Sequence, residues 1–112
     1  MKDRKQFQQR VEGWATRLRV HPTRVHVQPM SRKWGSCSSL GRLCFARDLL
    51  NQPADFQDYV IVHELLHLRI RNHGKLFSAT LRAHLRENRW LCTGANGVLR
   101  QDAIGLASWR QA

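Results

Sequence analysis

The chain has 112 residues, the length of one small domain that can bury a single core. It carries 19 Lys+Arg against 8 Asp+Glu, a formal charge of +11, and its 42% hydrophobic content speaks against disorder. No apolar run reaches the roughly 18–20 residues of a membrane span, Met1-Lys2-Asp3-Arg4-Lys5-Gln6 is too polar for a secretory signal, and the three cysteines form no CxxC pair, which excludes a disulfide scaffold and a four-cysteine zinc module. The expected compartment is therefore the reducing cytoplasm.

Residues 3–19 read as an amphipathic helix: Phe7, Val11, Trp14 and Leu18 recur on one stripe, with most of the charge elsewhere. His21-Pro22 is the expected stop, because a residue before proline avoids helical angles. Arg24–Gln28 alternates, with Val25 and Val27 on one face, and predicts a half-buried strand. Lys33–Cys37 and Arg42–Ala46 are two further extended segments, joined by a tight turn at Ser38-Ser39-Leu40-Gly41. A small, mostly antiparallel sheet is expected.

The strongest helix is predicted over 53–71. Pro53 suits the first helical position, Asp55 and Asp58 suit a helix start, and Arg69 and Arg71 suit its end. Asn72-His73-Gly74 then offers residues tolerant of a left-handed exit. A third helix is predicted over 75–88, with Phe77, Leu81 and Leu85 on one stripe. The pattern fades after Trp90, so a single domain over 1–90 and a weakly structured tail over 91–112 are expected.

The second helix holds His63-Glu64-Leu65-Leu66-His67, an HExxH motif. Residues i and i+4 lie about 40° apart around a helix and about 6 Å apart along it, so both imidazoles can reach one ion at about 2.1 Å, the zinc–nitrogen distance. Glu64 flanks the pair and can reach a water on the metal without ligating it. Such a water is acidic, and Glu64 would serve as general base and then general acid. A shuffled chain of this composition shows HExxH in about 1% of trials, so context must carry the reading. Here Val60, Ile61, Val62, Leu65, Leu66, Leu68 and Ile70 make the helix apolar nearly all round, hence buried. Two histidines and a glutamate there need partners, and a metal supplies one.

A catalytic zinc needs a third protein ligand and one open position. His73 is the leading candidate. On a straight helix it would lie about 15 Å from His63 along the axis, so the chain must turn back after about Arg71. His84 and Glu87, on the third helix, are the rival ligands.

Residues 31–81, with Trp34-Gly35-Ser36-Cys37-Ser38-Ser39, then Tyr59-Val60-Ile61-Val62-His63-Glu64-Leu65-Leu66-His67, then Asn72-His73-Gly74-Lys75-Leu76-Phe77, resemble the YgjP-like zinc metallopeptidases, relatives of the SprT-like and WLM proteases among the zincins. The chain departs from the family's pattern at Ala46 and Ser78, where Asn and Trp are usual. The resemblance implies an α+β, minimal zincin-like fold, with about three helices on a small sheet. It implies zinc held by His63, His67 and His73, with Glu64 catalytic and the Trp34–Cys37 strand beside the cleft. An extended peptide could pair with that strand's edge.

Lys33, Trp34 and Ser36, with Arg32, are the candidate substrate contacts, although a tryptophan is more often core. Tyr59, one turn before His63, could polarise a carbonyl but more often packs. His21 and His26 read as ordinary histidines, and Cys37, Cys44 and Cys92 as small apolar residues.

Three functions fit. A zinc metallopeptidase acting on a protein or peptide is favoured. A divalent-metal nucleoside-triphosphate pyrophosphohydrolase would use the same water with arginines on phosphate, but no glycine-rich phosphate loop is visible. A basic module with structural zinc would use the charge, net +8 in residues 1–50, to bind nucleic acid.

Overall fold

The computed structural model describes residues 4–86 and residue 88. The expected boundary near residue 90, the tail over 91–112, Cys92 and the rival ligand Glu87 lie outside the described residues. The rest forms an α+β fold of three helices and a three-stranded sheet.

Helix α1 spans Arg4–Leu18 and buries the expected stripe of Phe7, Val11, Trp14 and Leu18, with Ala15. Its end precedes His21-Pro22. The amide of Val20 donates to the Ala15 carbonyl (3.1 Å) and that of Arg19 to the Thr16 carbonyl (3.2 Å). Arg19 stands at φ 58°, where such a helix end usually places glycine. The stop is thus a Schellman-type cap, and the proline merely follows it.

Strands β1 (Arg24–Gln28), β2 (Gly35–Cys37) and β3 (Arg42–Ala46) form a sheet in the order β1-β3-β2. The sheet is mixed, which corrects the mostly antiparallel expectation. β3 pairs antiparallel with β2, from Gly35↔Phe45 to Cys37↔Leu43, and parallel with β1, from Arg24↔Arg42 to Gln28↔Ala46. Residues 29–34 carry the chain past the edge, so β2 enters on the far side of β3. The most apolar strand becomes central, and its Leu43 and Phe45 are fully buried. The β2–β3 turn is shaped by Gly41 at φ 85°, a conformation glycine adopts without steric cost. The Ser38 hydroxyl accepts from the amides of Leu40 (3.1 Å) and Arg42 (3.2 Å).

A 3-10 turn over Arg47–Asn51, which the sequence pattern did not suggest, buries Leu49 and Leu50. It is tied to the next helix by buried Gln57, whose amide nitrogen donates to the carbonyls of Leu49 (3.1 Å), Leu50 (3.2 Å) and Gln52 (3.1 Å).

Helix α2 spans Ala54–Leu66. Pro53 is the residue before its first turn rather than within it. The apolar run of the sequence is buried on all sides, as expected for a central element. Asp58 fastens α1 to it, accepting from Arg10 (2.6 Å) and from the Trp14 indole (2.9 Å). Helix α3 spans Lys75–His84, shorter than the predicted 75–88, and its apolar stripe of Phe77 and Leu81 is buried.

Candidate metal centre

The long helix expected over 53–71 ends at Leu66. The amides of His67, Leu68 and Arg69 donate to carbonyls three residues back, those of Glu64, Leu65 and Leu66. This tightened turn reverses the chain several residues earlier than expected. No residue from 67 to 74 takes a positive φ, so the left-handed exit at Asn72-His73-Gly74 is not used. Gly74 instead precedes the first turn of α3. Leaving the axis this early is what brings His73 back to α2.

The Nε2 atoms of His67 and His73 lie 3.0 Å apart, and those of His73 and His63 lie 3.2 Å apart. The ligand-capable atoms of all three fall within 4.8 Å of one another. Ligand nitrogens about 2.1 Å from a tetrahedral zinc would stand about 3.4 Å apart. His67 Nδ1 faces the Ile70 carbonyl at 3.1 Å. Donation of its proton to that oxygen leaves Nε2 with a bare lone pair turned toward His73. One ring proton on His73 cannot satisfy both neighbours fully, whereas a cation takes all three lone pairs. The donor set therefore fits a divalent metal. His84 is exposed at the end of α3 and is not part of the trio.

Electrostatics favour the same protonation state. Burial holds His63 well below the ordinary histidine value, and charge on His67 and His73 would depress it further. Burial, then the charge of His73, pulls His67 down to about 4. Partial desolvation lowers His73 as well. All three rings are neutral at pH 7, as metal ligation requires.

Glu64 is 0% exposed, and neither carboxylate oxygen has a hydrogen-bond partner among the described residues. Burial raises its pKa to about 8, against the pull of the Lys33 ammonium. A carboxyl buried without a hydrogen-bond partner is costly, and Gly35 of β2 packs directly against it.

The other candidates separate. Lys33 is half-buried and acts on Glu64 through its charge. Ser36 is half-buried in β2, opposite Cys44 of β3. Trp34, at 4% exposure, packs edge-on against Phe56, with ring centres 5.3 Å apart. It packs in the core, the alternative already weighed for this tryptophan. Tyr59 is buried between Phe56 and His63. His21, His26 and Arg32 are exposed, and Cys37 and Cys44 are half-buried.

Two residues that the sequence reading named only within motifs or a helix stripe, with no role in the site, contribute to it. Phe77 touches every imidazole: its ring stacks on His67 (4.7 Å) and meets His63 (5.1 Å) and His73 (5.0 Å) edge-on. Gly35 lets β2 lie directly on Glu64, since a Cβ there would stand 3.0 Å from Glu64 Cγ and 3.3 Å from Oε2. The available signals were the His73-x3-Phe77 spacing and the lone glycine inside a strand.

The YgjP-like metallopeptidase domain family matches residues 2–90. The chain belongs to that family. No curated protein matches it. Two crystal structures of archaeal metallopeptidase zymogens are similar to this YgjP-like chain. The Methanocaldococcus jannaschii zymogen, jannalysin, is 27% identical, with a TM-score of 0.62 over 75% of this chain and 83% of that one. The Pyrococcus abyssi zymogen, abylysin, shares the fold at 20% identity, with a TM-score of 0.61 over 68% of this chain and 76% of that one. Among the described residues no helix is long and apolar enough to cross a membrane.

Proposed function

We propose that this chain is a zinc-dependent metallopeptidase in which His63, His67 and His73 hold the metal and Glu64 carries the proton. The observation that carries the reading is the convergence of three imidazoles, two of them from the helix that also buries the Glu64 carboxyl without a hydrogen-bond partner. A zinc ion held there would supply Lewis acidity, acidifying a water and drawing charge from a carbonyl oxygen.

The side chains do the rest. The Ile70 carbonyl fixes the His67 ring, and Phe77 walls the three imidazoles from the core side, so the donor atoms are set before any ligand arrives. Burial moves Glu64 into the range where it exchanges a proton near neutral pH. It takes a proton from water and returns it to the departing amine. Lys33 steadies the ionised form. β2 lies at the end of the strand order, so a peptide could pair along its outer edge and pass over Gly35 and Glu64.

The test is hydrolysis of an unfolded protein by the zinc-loaded full chain. Glu64→Gln should keep zinc and lose about 10²–10⁴-fold in rate. Full hydrolysis by a zinc-loaded Glu64→Gln chain overturns the role of Glu64. Release of pyrophosphate from nucleoside triphosphates, with no peptide cleavage, overturns the substrate class.

A further inference from the structure

Past the end of β2 lies a cavity of about 530 Å³ that the chemistry above does not use. Three crossings of the chain wall it: the end of α1 with Arg19 and His21, the β2–β3 turn with Ser38 and Ser39, and the exit from α2 with Arg69 and Arg71. Three arginines, Arg19, Arg69 and Arg71, are among its lining residues, and no Asp or Glu is. Arg71 joins this space to the metal centre, because it lines the cavity and stands two residues before His73 in the chain.

We propose that this cavity is a subsite for an acidic side chain of the peptide substrate, two to four residues from the bond that is cut. The inference rests on the peptidase reading above. Gly35 marks the level of Glu64, and Ser38-Ser39 stand three and four residues further along the same strand and turn. At about 3.3 Å per residue Ser38 lies roughly 10 Å along, a span that an extended peptide on the same edge covers with about three residues, and Ser39 begins the turn that borders the cavity.

The lining suits a carboxylate. Guanidinium forks match its two oxygens, and arginine keeps its charge at every working pH. Arg69 is oriented from behind, since it donates to the Leu18 carbonyl at 3.4 Å. The Ser38 oxygen already accepts two backbone amides, so the hydroxyl hydrogen is what it has to offer an incoming anion. His21 is the one ring in the lining, with no Phe, Tyr or Trp beside it, so continuity with the β2 edge is what favours a peptide over a nucleic acid.

The test walks one Glu along an otherwise neutral labelled peptide, each version paired with its Gln twin. Binding is read by fluorescence anisotropy on the zinc-loaded full chain carrying Glu64→Gln, so nothing is consumed. The best Glu peptide should bind about tenfold tighter than its twin, the worth of one charge-assisted contact. Arg71→Gln and Arg19→Gln should each remove most of that difference, with zinc content and melting temperature held. Arg47→Gln, at the far end of β3, should leave it intact. Equal binding of the twins overturns the subsite, as does an equal loss in Arg47→Gln. An oligonucleotide that outcompetes the Glu peptide and depends on Arg71 overturns it in favour of nucleic acid. Hydrolysis by the wild-type chain is scored separately: twins cut and bound alike remove the subsite alone, whereas discrimination without any cleavage removes the peptidase reading.

Discussion

Phe77 is the apolar wall against which the three imidazoles rest, and removing its ring should show first in metal affinity. Phe77→Leu keeps the site apolar but loses the flat surface under His67. It should weaken zinc binding by about tenfold, read by competition with a chromophoric chelator. Unchanged affinity would reduce Phe77 to ordinary core. The titratable groups of the site, with His63, His67 and Glu64 buried and His73 exposed, make a second prediction, for the metal-free chain. His67 falls from 6.5 to about 4 on folding, and His63 and His73 shift the same way, so below pH 6.5 the unfolded chain binds more protons and stability falls with pH. Glu64 rises from 4.5 to about 8, so the folded chain holds the extra proton and stability falls as pH climbs toward 8. Between 4.5 and 6.5 three histidines oppose one carboxyl, and above 6.5 the carboxyl acts alone. The melting temperature of the metal-free protein should therefore peak near pH 6.5, and Glu64→Gln should flatten the alkaline limb. A wild-type curve that is flat from pH 6.5 to 8.5 would contradict the burial of an ionisable Glu64.

At the scale of elements, the tie between the 3-10 turn and α2 rests on one side chain. Gln57→Ala removes the donor to three carbonyls, two of them in the buried Leu49–Leu50 step. It should cost about 1–3 kcal/mol in urea unfolding, while Gln52→Ala, which leaves the backbone carbonyl in place, should cost far less. The helices and strands themselves were legible in the residues, because hydrophobic spacing reports which face is buried: the α1 stripe and the bounds of β1 and β3 follow from it directly. Helix ends were less legible. Leu68 and Ile70 continue the apolar pattern of α2, yet they pack on the core from the turn that follows it, and side-chain pattern alone does not distinguish the two. Strand partners were not legible either. Local sequence suggests the β2–β3 hairpin, but pairing β1 with β3 is a long-range choice set by what covers the central strand. Within the site, the HExxH pair was visible because its spacing is the helix period. The convergence of His73 was legible only as a requirement that the chain turn back.

For the whole molecule, the metal centre joins α2, the turn after it and the start of α3, while β2 closes over Glu64 from the sheet. α1 is held to the same helix by Asp58 through Arg10 and Trp14. Zinc should thus stabilise the fold as a unit, since three ligands from two segments bind one ion only when the chain is folded. The most direct test of the account is a zinc titration of the full chain and of His63→Ala, His67→Ala, His73→Ala and His84→Ala, read by calorimetry. One equivalent should bind, each of the first three changes should weaken it by about a hundredfold or more, and His84→Ala should leave it unaltered. Tight binding of zinc by His73→Ala would contradict the three-imidazole centre on which the proposed chemistry stands.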